Sequence, residues 1–131
     1  LGSLGGVFFT DANTSKPTFA NHLKASNTAT DIKGFVSDDP YERFEIQTNN
    51  TGASANTDIF NVADIEYTAG SSPDFVSKVE LNDSTLANGS SATLQILGLS
   101  RDPSNNDVGS ANVNWVVRIN EHELDMNVNG V

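Results

Sequence analysis

The sequence predicts an all-β fold, a single compact antiparallel β-barrel or β-sandwich of about seven short strands with long polar loops. Three observations lead there. Apolar Val113, Trp115, Val117 and Ile119 alternate with Asn114, Arg118 and Asn120, the period of a strand with one buried face. The same alternation returns in short runs along the chain, each bounded by Gly, Pro, Asn, Asp or Ser. Between the runs crowd Asn, Ser and Thr, whose side chains bond nearby backbone and favour turns.

Taken in order, strands are expected at residues 6–10, 31–36, 43–48, 62–68, 76–81, 92–99 and 113–120. In the third, Phe44 and Ile46 alternate with Arg43, Glu45 and Gln47, a half-buried pattern. The fifth has a competing reading as a helical turn, because Ser71-Ser72-Pro73 makes an acceptable helix start; Val76 and Val79, both β-branched, argue for strand. The sixth contains Leu94-Gln95-Ile96-Leu97-Gly98-Leu99, apolar on both sides except at Gln95. Such a run belongs in the middle of a sheet, or in a strand whose second face meets another chain. Long polar connections are expected at residues 11–30, 49–61 and 101–111. Asp38-Asp39-Pro40 and Asp102-Pro103 signal turns, and Asn88-Gly89 suits a tight hairpin.

With 131 residues the chain fits one domain, residues 1–131, in which residues 1–6 suit a mobile N-terminal arm and residues 125–131 a C-terminal arm. Having no cysteine removes disulfides, thiolate metal sites and cysteine nucleophiles together. The net charge of −10, from 17 acidic against 7 basic residues, sets up a field that repels phosphate, and no Lys/Arg cluster reverses it. No nucleic-acid partner is expected. No membrane partner is expected either, because the longest apolar runs fall far short of the ~20 residues a helical span requires.

The chemistry-bearing residues form no catalytic constellation. Asp11-Ala12-Asn13-Thr14-Ser15 begins like a calcium loop, but Lys16 stands where that loop needs glycine and His22 where it needs a bidentate glutamate. An Asx-rich loop is the better reading. The segment Asp102-Pro103-Ser104-Asn105-Asn106-Asp107 is read as a solvated turn. Within Glu121-His122-Glu123, strand alternation turns His122 away from the two glutamates, so a surface strand end is expected rather than a metal or acid–base cluster. No Gly-x-Ser-x-Gly elbow is present, and carboxylate pairs among 17 acids carry no specificity. Asn82-Asp83-Ser84 and Asn88-Gly89-Ser90 match the glycosylation pattern, which an Asn- and Ser-rich chain produces by chance. Trp115 is expected to fill the core, and Phe8, Phe9, Phe35, Tyr41, Phe44 and Tyr67 are distributed more like a core than a binding platform. No catalytic residue, cofactor or metal is assigned, and the protein is not expected to be an enzyme.

Several segments are nonetheless familiar. Asp38-Asp39-Pro40-Tyr41-Glu42-Arg43-Phe44-Glu45-Ile46-Gln47, Ala63-Asp64-Ile65, Leu81-Asn82-Asp83-Ser84-Thr85, Gln95-Ile96-Leu97-Gly98-Leu99-Ser100-Arg101-Asp102 and Val117-Arg118-Ile119-Asn120-Glu121-His122-Glu123-Leu124 resemble, in that order, small virion structural proteins of tailed bacteriophages, notably those of cyanobacterial phages. The resemblance spans residues 38–124 and rests on strand and turn segments. It implies a capsid decoration or cement protein on the outer surface of the head, bound to the major capsid protein, often as a homotrimer or other homo-oligomer. The residues expected at such contacts are Leu1, Leu4, Val7, Asp38, Asp39, Tyr41, Arg101, Asp102, Glu121, His122, Glu123, Met126 and Val128. A competing expectation is a glycan-binding β-module on a phage surface or fibre, using Trp115 or Tyr41 with the Asn/Asp loops.

Overall fold

A computed structural model describes residues 2–49, 54–89 and 91–124. Eight strands and one short 3-10 turn, Asn56–Asp58, make up its regular structure. The strands form two antiparallel sheets, one of three and one of five strands, so the fold is all-β as the period-2 pattern requires. Neither sheet closes into a continuous barrel, which removes the barrel from the two expected architectures. Internal contacts divide the chain into two compact units, residues 1–39 and 40–131.

The first unit holds β1 (Leu4–Thr10), β2 (Pro17–Ala20) and β3 (Lys33–Val36) in the order β2-β1-β3. Strand β2 lies inside the stretch expected to be loop, because its four residues are too few to display a period. Register places Phe8 opposite both Phe19 and Lys33, and Gly6 opposite Phe35, so these five residues share one face. Val7, Phe9, Thr18 and Ala20 lie on the other, where Val7 and Phe9 are buried. A register shift at Gly5 then brings Leu4 opposite Val36.

The second unit holds β4 (Phe44–Gln47), β5 (Val62–Glu66), β6 (Glu80–Ala87), β7 (Leu94–Leu99) and β8 (Asn114–Ile119), ordered β4-β8-β7-β5-β6. Ala63, Leu81, Leu94, Ile96, Val113, Trp115 and Val117 form its core, with Phe44, Ile46, Leu99 and Ile119 packed against them. Ile59 and Val108 reach the same core from two of the connections expected to be long and polar. On the outer face the Arg118 guanidinium donates to Gln95 Oε1 at 2.8 Å from the directly opposite position. The sheet curls until Thr48, just past β4, makes a single parallel bridge to Leu81, and the Asn49 amide donates to the Leu81 carbonyl at 2.9 Å.

Strand β7 lies between β8 and β5, the central position its two-sided apolarity calls for. Its pattern has a further cause. Ile96 pairs with Val117 but Gly98 with Val116, so Leu97 is an extra residue in a β-bulge. The bulge turns Leu94, Ile96 and Leu99 all inward despite their uneven spacing. A second irregularity separates β5 from the middle of β6, between the pairs Val62–Ala87 and Asp64–Asn82. There Thr85 Oγ1 accepts from the Asp64 amide at 2.9 Å and donates to the Asn82 carbonyl at 2.7 Å.

Two local expectations fail. Asn88-Gly89 closes no tight hairpin, because β5 lies between β6 and β7: Val62 pairs with Ala87 on one side and Gln95 on the other. The strand expected at 76–81 begins only at Glu80 and runs on to Ala87. Residues 75–79 form no helix either; a hydrogen-bonded turn at residues 72–74, closed by the Phe75 amide donating to the Ser71 carbonyl at 3.0 Å, precedes irregular backbone, with the Val79 amide held by Ser77 Oγ at 3.3 Å.

Candidate functional site

The first unit presents an aromatic face to solvent. Phe19 on β2 and Phe35 on β3 meet across β1 with ring centroids 5.8 Å apart and planes tilted by 51°. They can do so because Gly6 stands between them; a Cβ there would collide with Cζ of Phe19. Both rings remain open to solvent, at 63% and 54% exposure. Phe8 is half-buried in the same row, and Lys33 is the one charged residue paired into it. Exposed apolar surface gathered in this way marks a binding surface more often than a core.

The charge of the chain is unevenly placed. Residues 1–39 carry Lys16, Lys24 and Lys33 against Asp11, Asp31, Asp38 and Asp39, close to neutrality, so nearly the whole charge of −10 falls on residues 40–131. Two of those first-unit acids are held by the fold. Asp31 accepts from Thr10 Oγ1 at 2.6 Å and from the Thr10 amide at 3.0 Å, and these bonds keep its carboxyl below the usual range. Asp11 Oδ1 accepts from the Thr14 amide at 2.8 Å and the Asn13 amide at 2.9 Å, which lowers its pKa in the same way. This is an Asx turn. The Asn13 and Thr14 amides and Thr14 Oγ1 all converge on Oδ1.

A cleft of about 370 Å³ lies in the same unit, lined by Phe9, Thr18 and Ala20 of the buried sheet face and by Asn13, Lys24 and Thr28 from the connections. Asp11, His22 and Ser26 also line it, and His22 Nδ1 lies 2.7 Å from Asn21 Oδ1. Among the described residues no group of three or more His, Asp or Glu side chains converges as metal ligands would.

In the second unit Tyr41, Phe60, Tyr67 and Val76 are exposed. Phe60 adopts φ 76, a left-handed conformation unusual for a bulky residue, while its amide donates to the Ile96 carbonyl at 2.9 Å. Asp102 repeats the Asx pattern, accepting from the Ser104 amide at 2.9 Å with a lowered pKa.

The expected contact residues fall into three groups. Leu4, Asp38, Asp39, Tyr41, Arg101, Asp102, Glu121 and Glu123 are exposed. Leu4 and Asp38 lie at one end of the first sheet, where the Ser37 amide donates to the Ser3 carbonyl at 3.0 Å. Val7 and His122 are buried, at 5% and 0% exposure, which corrects their assignment to a contact surface. The strand ends at Ile119, so the alternation that was to govern residues 121–123 does not reach them; His122 turns inward and its Nδ1 accepts the Leu124 amide at 3.1 Å. Leu1, Met126 and Val128, with most of the expected C-terminal arm, lie outside the described residues.

The aromatic assignments divide similarly. Trp115 is wholly buried, as its strand position requires, and so cannot stack on a sugar. Phe35, Tyr41 and Tyr67, expected in the core, are exposed. Phe19 was missed because its strand was read as loop; the β-forming pair Thr18-Phe19 directly after Pro17 is the signal that could have found it. No protein-family model matches the chain, and no curated protein or solved structure does either.

Proposed function

We propose that this chain is a bacteriophage virion structural protein of the decoration or cement type, which binds the outer surface of the head and stabilises contacts between major capsid subunits. The observation that carries the reading is the exposed Phe19–Phe35 face in a nearly neutral unit of a chain whose remaining residues are strongly acidic. An apolar, weakly charged face loses little on desolvation and gains by burial against a protein surface. The acidic remainder keeps the protein soluble, and it would be repelled by packaged DNA on the inner side of a shell. The resemblance over residues 38–124 supplies the capsid context.

On this reading the partner is the major capsid protein, the protein acts as a homotrimer or other homo-oligomer on the lattice, and no reaction or cofactor is involved. Repetition over a symmetric shell multiplies contacts that are individually weak. Heating purified particles with and without the protein tests it. Particles carrying it are expected to release DNA at a higher temperature; equal release temperatures would overturn the stabilising role.

A further inference from the structure

We propose that Asn88-Gly89 is a self-modification site, at which Asn88 converts without an enzyme to a mixture of aspartate and isoaspartate. The reaction requires the Gly89 amide nitrogen to reach the Asn88 side-chain carbonyl carbon. Three features of the fold permit this. Strand β6 ends at Ala87, the last residue paired with β5, so both reacting residues lie in a bend beyond the final rung. Both are exposed, and among the described residues no hydrogen bond fixes either of them. Gly89 stands in open space, with nothing within 4 Å of where a Cβ would project.

Other asparagines of the second unit are held differently. Asn82 Oδ1 accepts from Ser84 Oγ at 2.6 Å, Asn61 Nδ2 donates to Asp58 at 3.3 Å, and Asn120 Nδ2 donates to the Ala92 carbonyl at 2.9 Å. Each is followed by a residue bearing a side chain, Asp83, Val62 or Glu121, which crowds the attacking nitrogen. Asn88 alone of these four combines a glycine successor with freedom from hydrogen bonds.

In the first step solvent base removes the Gly89 amide proton, the nitrogen bonds to Asn88 Cγ, and the side-chain nitrogen leaves as ammonia after taking up a proton. A five-membered succinimide remains. Water then adds to one of its two carbonyls and breaks that carbon–nitrogen bond. Opening on the main-chain side gives isoaspartate, and opening on the side-chain side gives aspartate. Water is the only co-reactant, and no electrons are transferred. Either product adds one negative charge to a chain already at −10. Isoaspartate also inserts a methylene into the main chain beside the Ala87–Val62 pair.

The test is to incubate the full-length folded protein at mildly alkaline pH in ¹⁸O-labelled water, digest it, and identify the peptide holding residues 88–89 by mass spectrometry. Labelling with an isoaspartate methyltransferase gives a second readout. Peptide mapping separates this site from Asn129-Gly130, the same dipeptide near the end of the chain. The expected result is ¹⁸O uptake at Asn88, faster as pH rises, and its loss in Gly89→Ala. That variant meets no steric obstacle, so far-UV circular dichroism should match the parent. An unmodified Asn88 in the folded protein, when a synthetic peptide of the same segment reacts, would overturn the proposal. So would labelling undiminished in Gly89→Ala.

Discussion

Trp115 has the most to lose from substitution. It is fully buried in the second unit's core, and its indole Nε1 has no hydrogen-bond partner among the described residues. Removing the ring should cost about 3–5 kcal/mol through lost burial and the cavity left behind. Trp115→Phe should be much milder than Trp115→Ala, because it keeps most of the apolar volume and removes a buried donor that satisfies nothing. Chemical denaturation followed by circular dichroism measures both; similar losses would mean that the N–H contributes to stability. Asp31 poses a different question, about pH. Its lowered folded-state pKa means that the carboxylate contributes stability above its ordinary value of 3.8, and loses it as pH falls through the lowered value. Asp31→Asn should therefore be less stable than the parent at neutral pH, and the difference should close in acid well below 3.8. A gap independent of pH would show that geometry and not charge holds Thr10.

At the scale of the element, the Leu97 bulge is what reconciles β7 with its neighbours. Deleting Leu97 would remove the extra residue and leave strict alternation, with Leu94, Ile96 and Leu99 still facing inward and the pairs Gly98–Val116 and Leu99–Trp115 kept. The deletion is therefore expected to fold with the same core and to shift the thermal midpoint only modestly, as should Leu97→Ala. A sharp fall on deletion alone would mean that the local bend and twist of the bulge, and not the facing of side chains, is what β7 needs. The neighbouring irregularity in β6 rests on hydroxyl and amide groups instead, with Thr85 substituting for a missing ladder partner at Asp64.

For the molecule as a whole, the division of charge and apolar exposure along the chain sets the expected behaviour. The net charge of −10 disfavours contact through the acidic stretch, leaving the Phe19–Phe35 face as the surface with most to gain from burial. Replacing both rings, Phe19→Ser with Phe35→Ser, should reduce occupancy on purified particles while leaving far-UV circular dichroism unchanged. Occupancy equal to the parent's would move the docking surface elsewhere. Added salt should alter this binding only modestly, since a face whose one charge is Lys33 depends little on ion pairing.

The amino-acid sequence by itself determined the all-β class, the inward row Val113, Trp115, Val117 and Ile119, a central place for β7 as one of two readings, the Asx-rich loop at Asp11 and the turn at Asp102. These follow from period-2 alternation and from side chains bonding backbone two or three residues away, which are local properties. Tertiary structure decided the rest. Strand β2 is four residues long and becomes a strand only by pairing with β1. Whether Phe35 is core or surface depends on which residue stands opposite, and that residue is Gly6, distant in sequence. Val7 and His122 turn inward, and Asn88-Gly89 fails to close a hairpin because β5 enters between the strands it would join. Alternation along a strand says which residues share a face, while strand order and register decide which face is covered.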